Sequence, residues 1–115
     1  MAETLSKELL SGGNANGGWL TITDTATLGE TLHTAHATAI DEIWLWAWNE
    51  SVDGVLLTIE WGAATEPMPI VIPPKEPPML IIPGLPMTGS DVLSAFAATA
   101  SVVTVHGYVN RITAS

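Results

Sequence analysis

The chain is predicted to be all-β, a single antiparallel β-sandwich of jelly-roll or immunoglobulin-like type with about eight short strands and an N-terminal arm. Three observations predict it. From Trp19 onward, stretches rich in β-branched and aromatic residues alternate between apolar and polar positions. Turn residues separate these stretches at short intervals. All eight prolines fall within residues 67–86, where they exclude a helix and leave only short or edge strands.

Size and composition set the frame. With 115 residues the chain is one domain, long enough to bury a core without crosslinks. It has no cysteine, so neither a disulfide nor a thiolate metal site is available. Residues 1–18 divide from the rest as a flexible arm and Gly-rich linker, and residues 19–115 are expected to form the sandwich domain. Residues 3–10 could make about two helical turns with Leu5, Leu9 and Leu10 on one side, but so short a helix is marginal in isolation. A frayed terminus or an extended arm is expected instead. Residues 11–18, SGGNANGG, break regular structure and lack the GK[ST] ending of a phosphate-binding loop.

Strands are then predicted over residues 19–23, 31–35, 40–48, 55–61, 70–72, 79–82, 92–98 and 102–109. The strongest is 40–48, IDEIWLWAW, built of residues that suit a pleated surface. The segment 49–54 ends in Asp53-Gly54 and reads as a hairpin loop that returns the chain into 55–61 as the partner strand. Residues 92–100 are Ala-rich, but the β-branched run that follows favours strand.

Alternation places Trp44, Trp46 and Trp48 on one face of their strand, with Ile43, Leu45 and Ala47 on the other. Both faces are apolar. Three bare indoles would offer roughly 450–750 Å², more than a monomer ordinarily leaves open to water. The row therefore belongs to a core, to an interface, or to a platform on which sugar rings stack. On the strand 55–61, Val55, Leu57, Ile59 and Trp61 face one way, and Leu56, Thr58 and Glu60 the other.

No residue pattern marks a catalytic centre. The chain has no HExxH pair, nucleophile elbow or calcium loop. His33 and His36 fall on opposite faces of a strand, so a shared metal is not expected, and no cofactor is implied. His106 lies on the outward face with Thr104 and Tyr108, while Val103, Val105 and Val109 point inward. Asp41, Glu42 and Asp53 read as strand-end and turn residues. Asn49-Glu-Ser51 matches a glycosylation acceptor formally, a pattern too common to carry weight.

Three cations against twelve acids give a net charge of -9, which disfavours nucleic acid and anionic membrane surfaces as partners. Only 13% of residues are charged and 47% are hydrophobic, a surface suited to burial in an assembly. No run approaches the roughly 18 apolar residues of a membrane span, and the acidic N-terminus does not read as a secretory signal.

The segments LTIEWG at 57–62, IPGLP at 82–86 and VTVHGYVN at 103–110, together with the strand 43–48, resemble small β-sandwich structural proteins of tailed bacteriophages. The likeness is greatest to head decoration, or cement, proteins. That resemblance implies a non-enzymatic virion protein on the outer capsid surface, assembled in the host cytoplasm. Its partners would be the major capsid protein and further copies of itself, often as a trimer. The candidate interface comprises Trp44, Trp46 and Trp48, with Leu5 and Leu9 of an arm that orders on contact. Pro73, Pro74, Pro77 and Pro78 would add a connection already rigid before binding. A carbohydrate-binding module and a phage tail or fibre component are the rival readings.

Overall fold

The computed structural model describes residues 3–13, 16–63 and 65–114. Nine strands run in the order β1 (Glu3–Leu9), β2 (Leu20–Thr21), β3 (Glu30–Thr34), β4 (Ile40–Asn49), β5 (Val55–Trp61), β6 (Pro67–Ile72), β7 (Met79–Met87), β8 (Val92–Ala97) and β9 (Val103–Ala114). The described residues contain no helix. Sheet A has the order β1-β9-β4-β7, with β2 also paired to β9, and sheet B the order β3-β8-β5-β6.

The antiparallel pairs are nested. β5 pairs with β6, β4 with β7, β3 with β8 and β2 with β9. Contacts β4–β9 and β5–β8 then join alternate pairs into the two sheets. One long folded ribbon rolled so that successive pairs land in opposite sheets is a jelly roll. Of the two sandwich types predicted, this topology selects the jelly roll over the immunoglobulin-like one.

The roll corrects one local reading. Residues 49–54 do not close a hairpin, because β4 lies in sheet A and β5 in sheet B. The segment crosses between layers, held by Asn49, whose side-chain amide donates to the carbonyls of Asp53 (2.8 Å) and Ile72 (3.0 Å). Turn chemistry at Asp53-Gly54 is compatible with both outcomes, so the sequence could not separate them. The proline-rich stretch behaves as predicted, since β6 and β7 are both edge strands. β7 extends through Pro83 and Pro86 to Met87, longer than the predicted 79–82.

The first residues are not helical. Glu3–Leu9 runs antiparallel to the outer half of β9, Glu3 opposite Ala114 and Leu9 opposite Tyr108. Residues 1–2 and two residues of the expected linker, 14 and 15, lie outside the described residues. Beyond β1, Leu10 joins the core and the amide of Gly12 donates to the Leu32 carbonyl (3.0 Å).

Alternation fills the space between the sheets. Ile43, Leu45 and Ala47 of β4 and Val103, Val105 and Val109 of β9 meet Val55, Leu57 and Ile59 of β5 and Leu93, Ala95 and Ala97 of β8. Gly107 lies in the middle of β9, where β4 approaches closest. A Cβ there would stand 2.0 Å from the Trp44 carbonyl oxygen and 3.1 Å from Leu45 Cα. Both are backbone atoms that cannot yield without breaking the central ladder. Gly107→Ala is therefore expected to lower the unfolding free energy by about 3 kcal/mol, or to prevent folding. Urea denaturation checks it: wild-type stability in this variant would contradict the close approach.

Candidate binding face

Even-numbered residues of β4 and β9 point away from the core, and the β1–β9–β4 register lines them up. Leu5 stands beside Ile112, which stands beside Ile40. Leu9 stands beside Tyr108 and then Trp44. On the other side of β4, Trp46 neighbours Leu80 and Trp44 neighbours Pro83. The outer face of sheet A thus carries an apolar band through Leu9, Tyr108, Trp44, Trp46 and Leu80, separated from the Leu5, Ile112 and Ile40 row by the polar row of Lys7, Asn110 and Glu42. Leu5 is 68% exposed and Leu80 43%, while Trp44, Trp46 and Trp48 are half-buried by one another's surroundings.

The three tryptophans differ in what covers them. Trp44 packs under β7, where a Cβ at Gly84 would come within 2.7 Å of its Cζ2, and Gly84 itself has φ 76°. Its Nε1 is buried and makes no hydrogen bond among the described residues. Trp46 stacks on Tyr108 with centroids 6.1 Å apart and planes at 27°. The Lys7 ammonium lies 4.6 Å from the far ring of that pair, Tyr108, a favourable cation–π position. Trp48 meets Trp19 edge to face, 5.6 Å apart at 84°.

Those rings wall a groove of about 520 Å³ lined by Trp19, Trp46, Trp48, Pro78, His106 and the 16–18 segment. His106 holds the segment in place through its Nε2 and the Gly17 carbonyl oxygen (2.7 Å), in keeping with the outward position predicted for it. No residue of the lining is acidic or basic apart from the imidazole. The perpendicular indoles form a corner, and the Trp46–Tyr108 pair forms a flat floor beside it.

The predicted interface residues are therefore brought together only in part. Trp44, Trp46, Trp48, Leu5 and Leu9 share this face, which alternation showed for the tryptophans and nothing in the sequence showed for the leucines. Pro78 lines the groove. Pro77 is exposed outside the groove lining, whereas Pro73 and Pro74 are half-buried and Pro74 bridges to Asn49. The sequence pattern marks Trp19 only as the start of a strand. Its partnership with Trp48 depends on a loop path that periodicity does not encode.

No family model, curated protein or solved structure matches the chain. The functional reading therefore rests on this geometry.

Two ionisable groups are buried elsewhere. Asp41, predicted as a strand-end residue, is fully buried at one end of the sandwich. Arg111, directly opposite on β9, donates twice to it (2.8 and 3.1 Å), and His33 Nε2 lies 2.7 Å away. The Ser11 amide donates to His33 Nδ1 (3.0 Å), so the ring's proton sits on Nε2 and points at the carboxylate. Both ring nitrogens are thereby occupied, and the cluster ties β3 of sheet B to β4 and β9 of sheet A. Glu60, on the outer face of β5, is buried under the 27–29 segment, accepting from the Thr27 hydroxyl, the Gly29 amide (2.8 Å) and the Ser94 hydroxyl (3.1 Å). These groups clamp the fold and line neither groove wall.

Burial alone would raise the Asp41 pKa. The hydrogen bonds from Arg111, His33 and the His36 amide, with the Arg111 charge, outweigh it and hold the carboxyl at about 2, against an ordinary 3.8. Glu60 is likewise burdened by burial yet lies below its ordinary value, held there by its Thr27, Gly29 and Ser94 donors. A depressed folded-state pKa adds stability above the unfolded-state value that is lost as pH falls through the folded one. For Asp41 that is a contribution of about 2 kcal/mol, present above about pH 4 and vanishing towards pH 2. Asp41→Asn is expected to cost about 3 kcal/mol at pH 7 and to flatten the stability profile between those limits. Denaturation series at several pH values measure both effects, and an unchanged acid slope would contradict the assignment.

Proposed function

We propose that the chain is a non-catalytic attachment module of a virion surface, a capsid decoration protein that docks on the major capsid protein through the outer face of sheet A. The observation that carries this reading is the aromatic and apolar band from Leu9 across Tyr108, Trp44 and Trp46 to Leu80. An exposed surface of this extent is characteristic of a partner-binding site, and aromatic residues concentrate where interfaces hold their energy. Two further features support it. Jelly rolls are common in viral capsid and lectin domains, although fold alone does not assign function. A net charge of -9 suits the exterior of a shell and not the surface of packaged DNA.

Docking would remove Leu5, Leu9, Trp46 and Trp48 from water on a rigid sheet, so little ordering opposes it. Trp46→Ala is expected to weaken binding to purified capsids by about 30-fold while leaving the β spectrum in circular dichroism intact. Co-sedimentation with capsids reads the effect, and a wild-type chain that stays in the supernatant would refute the reading.

A second reading is favoured by the groove itself. An indole corner of Trp19 and Trp48 beside the Trp46 floor, with an uncharged lining apart from His106, fits a neutral sugar ring. Titration with neutral oligosaccharides would then shift tryptophan fluorescence, and Trp19→Ala would abolish the shift without unfolding the chain. A flat titration across neutral glycans would leave capsid docking as the use of this face.

A further inference from the structure

From the edges of the two sheets we propose that two copies of the chain pair edge to edge through β1, antiparallel about a twofold axis at Leu5. This goes beyond attachment to a capsid, and it departs from the threefold assembly that the phage resemblance implies. Of the five outer strands, β2 is only two residues long and three others are poor templates for a further strand. β6 carries Pro67 and Pro69, β7 carries Pro83 and Pro86, and β3 has a register break between Thr31 and His33. Prolines and bulges are the usual guards of an open edge. β1 has neither. It runs seven residues in unbroken register with β9, and its other side pairs with no strand among the described residues.

The register selects the partner. In an antiparallel pair, directly opposed residues share a face. A twofold axis perpendicular to the sheet keeps the outer face of both copies on one side. Only registers that set outer residues against outer residues are then open, and the outer residues of β1 are Glu3, Leu5, Lys7 and Leu9. Centred on Lys7, the pairing would oppose two ammonium groups. Centred on Ser6, it would set Leu5 against Lys7 and Glu3 against Leu9. Centred on Leu5, it sets Leu5 on Leu5, Glu3 on Lys7 twice, and on the inner side Thr4 on Ser6 twice. Over residues 3–7, every side chain in that register meets its own kind or its opposite charge. Lys7, which lies over Tyr108 in the single chain and would guard the edge against other strands, meets an opposite charge only in this register.

The pairing also accounts for Leu5, which is 68% exposed in the single chain. It would bury that side chain against its twin and join the Leu5, Ile112 and Ile40 rows of two sheets A. The contact is short and so should be reversible, with a dissociation constant in the micromolar to millimolar range.

Sedimentation velocity of the full chain from about 10 µM to about 1 mM tests it. The expected result is a monomer–dimer equilibrium. Glu3→Lys alone and Lys7→Glu alone would each weaken it by about tenfold, because both cross-strand pairs become repulsive, and the double variant would restore it. Circular dichroism confirms that each variant is folded. A chain that stays monomeric throughout, forms trimers, ignores the single reversals, or is not restored by the double exchange overturns the proposal. Capsid co-sedimentation of the same variants reads the attachment reading separately.

Discussion

The structure depends on β9 and the ladder it forms with β4. Over Ile40–Asn49 that pairing is uninterrupted, Ile40 opposite Ile112 through Asn49 opposite Val103. The opposite side of β9 takes β2 near its start and β1 near its end. One strand thus closes the roll and carries the N-terminal segment. Because opposed residues share a face, the same ladder decides two surfaces at once. Val103, Val105 and Val109 enter the core with Ile43, Leu45 and Ala47, and Tyr108 and His106 emerge beside Trp44 and Trp46. A one-residue slip would exchange them. Gly107 allows the two backbones to approach without a side chain between them.

Rolling a ribbon into two layers strands polar groups at its ends, and the chain resolves this with carboxylates. Asp41 and Glu60 are buried and each accepts several donors drawn from separate segments. A buried carboxylate left unpaired would be costly, but one that is fully satisfied positions its donors. Asp41 aligns β3, β4 and β9 with the start of the linker through His33. Glu60 closes the 27–29 segment over β5. These ionisable groups act in the architecture, away from the aromatic face of sheet A.

The two outer faces of the sandwich are consequently unequal. On sheet B, Glu60, Thr58 and Ser94 interrupt the apolar positions, leaving Leu56 and Val71 as the exposed hydrophobic residues there. On sheet A the aromatic row is extended by β1 on one flank and by β7 on the other. The groove sits where the 16–19 segment folds over the end of that row. Rigidity of the sheet and of the loop held by His106 keeps the rings in fixed relation, the condition under which buried area converts efficiently into affinity.

Much of this was legible in the sequence, because alternation is local. Period-two patterning identified the strands from Trp19 onward but not β1, separated Trp44, Trp46 and Trp48 from Ile43, Leu45 and Ala47, and placed His106 with Tyr108 outside. Proline confined β6 and β7 to edges, since a missing amide hydrogen is a property of the residue itself. What sequence periodicity does not carry is which strand lies beside which. That choice made residues 49–54 a crossing between layers instead of a hairpin, brought Leu5 and Leu9 onto the tryptophan face, turned Trp19 against Trp48, and drew Asp41, His33 and Arg111 together from strands up to 78 positions apart. Each of those is a contact between distant segments, fixed by how the ribbon rolls to bury its apolar side, and only the packed tertiary structure decides it.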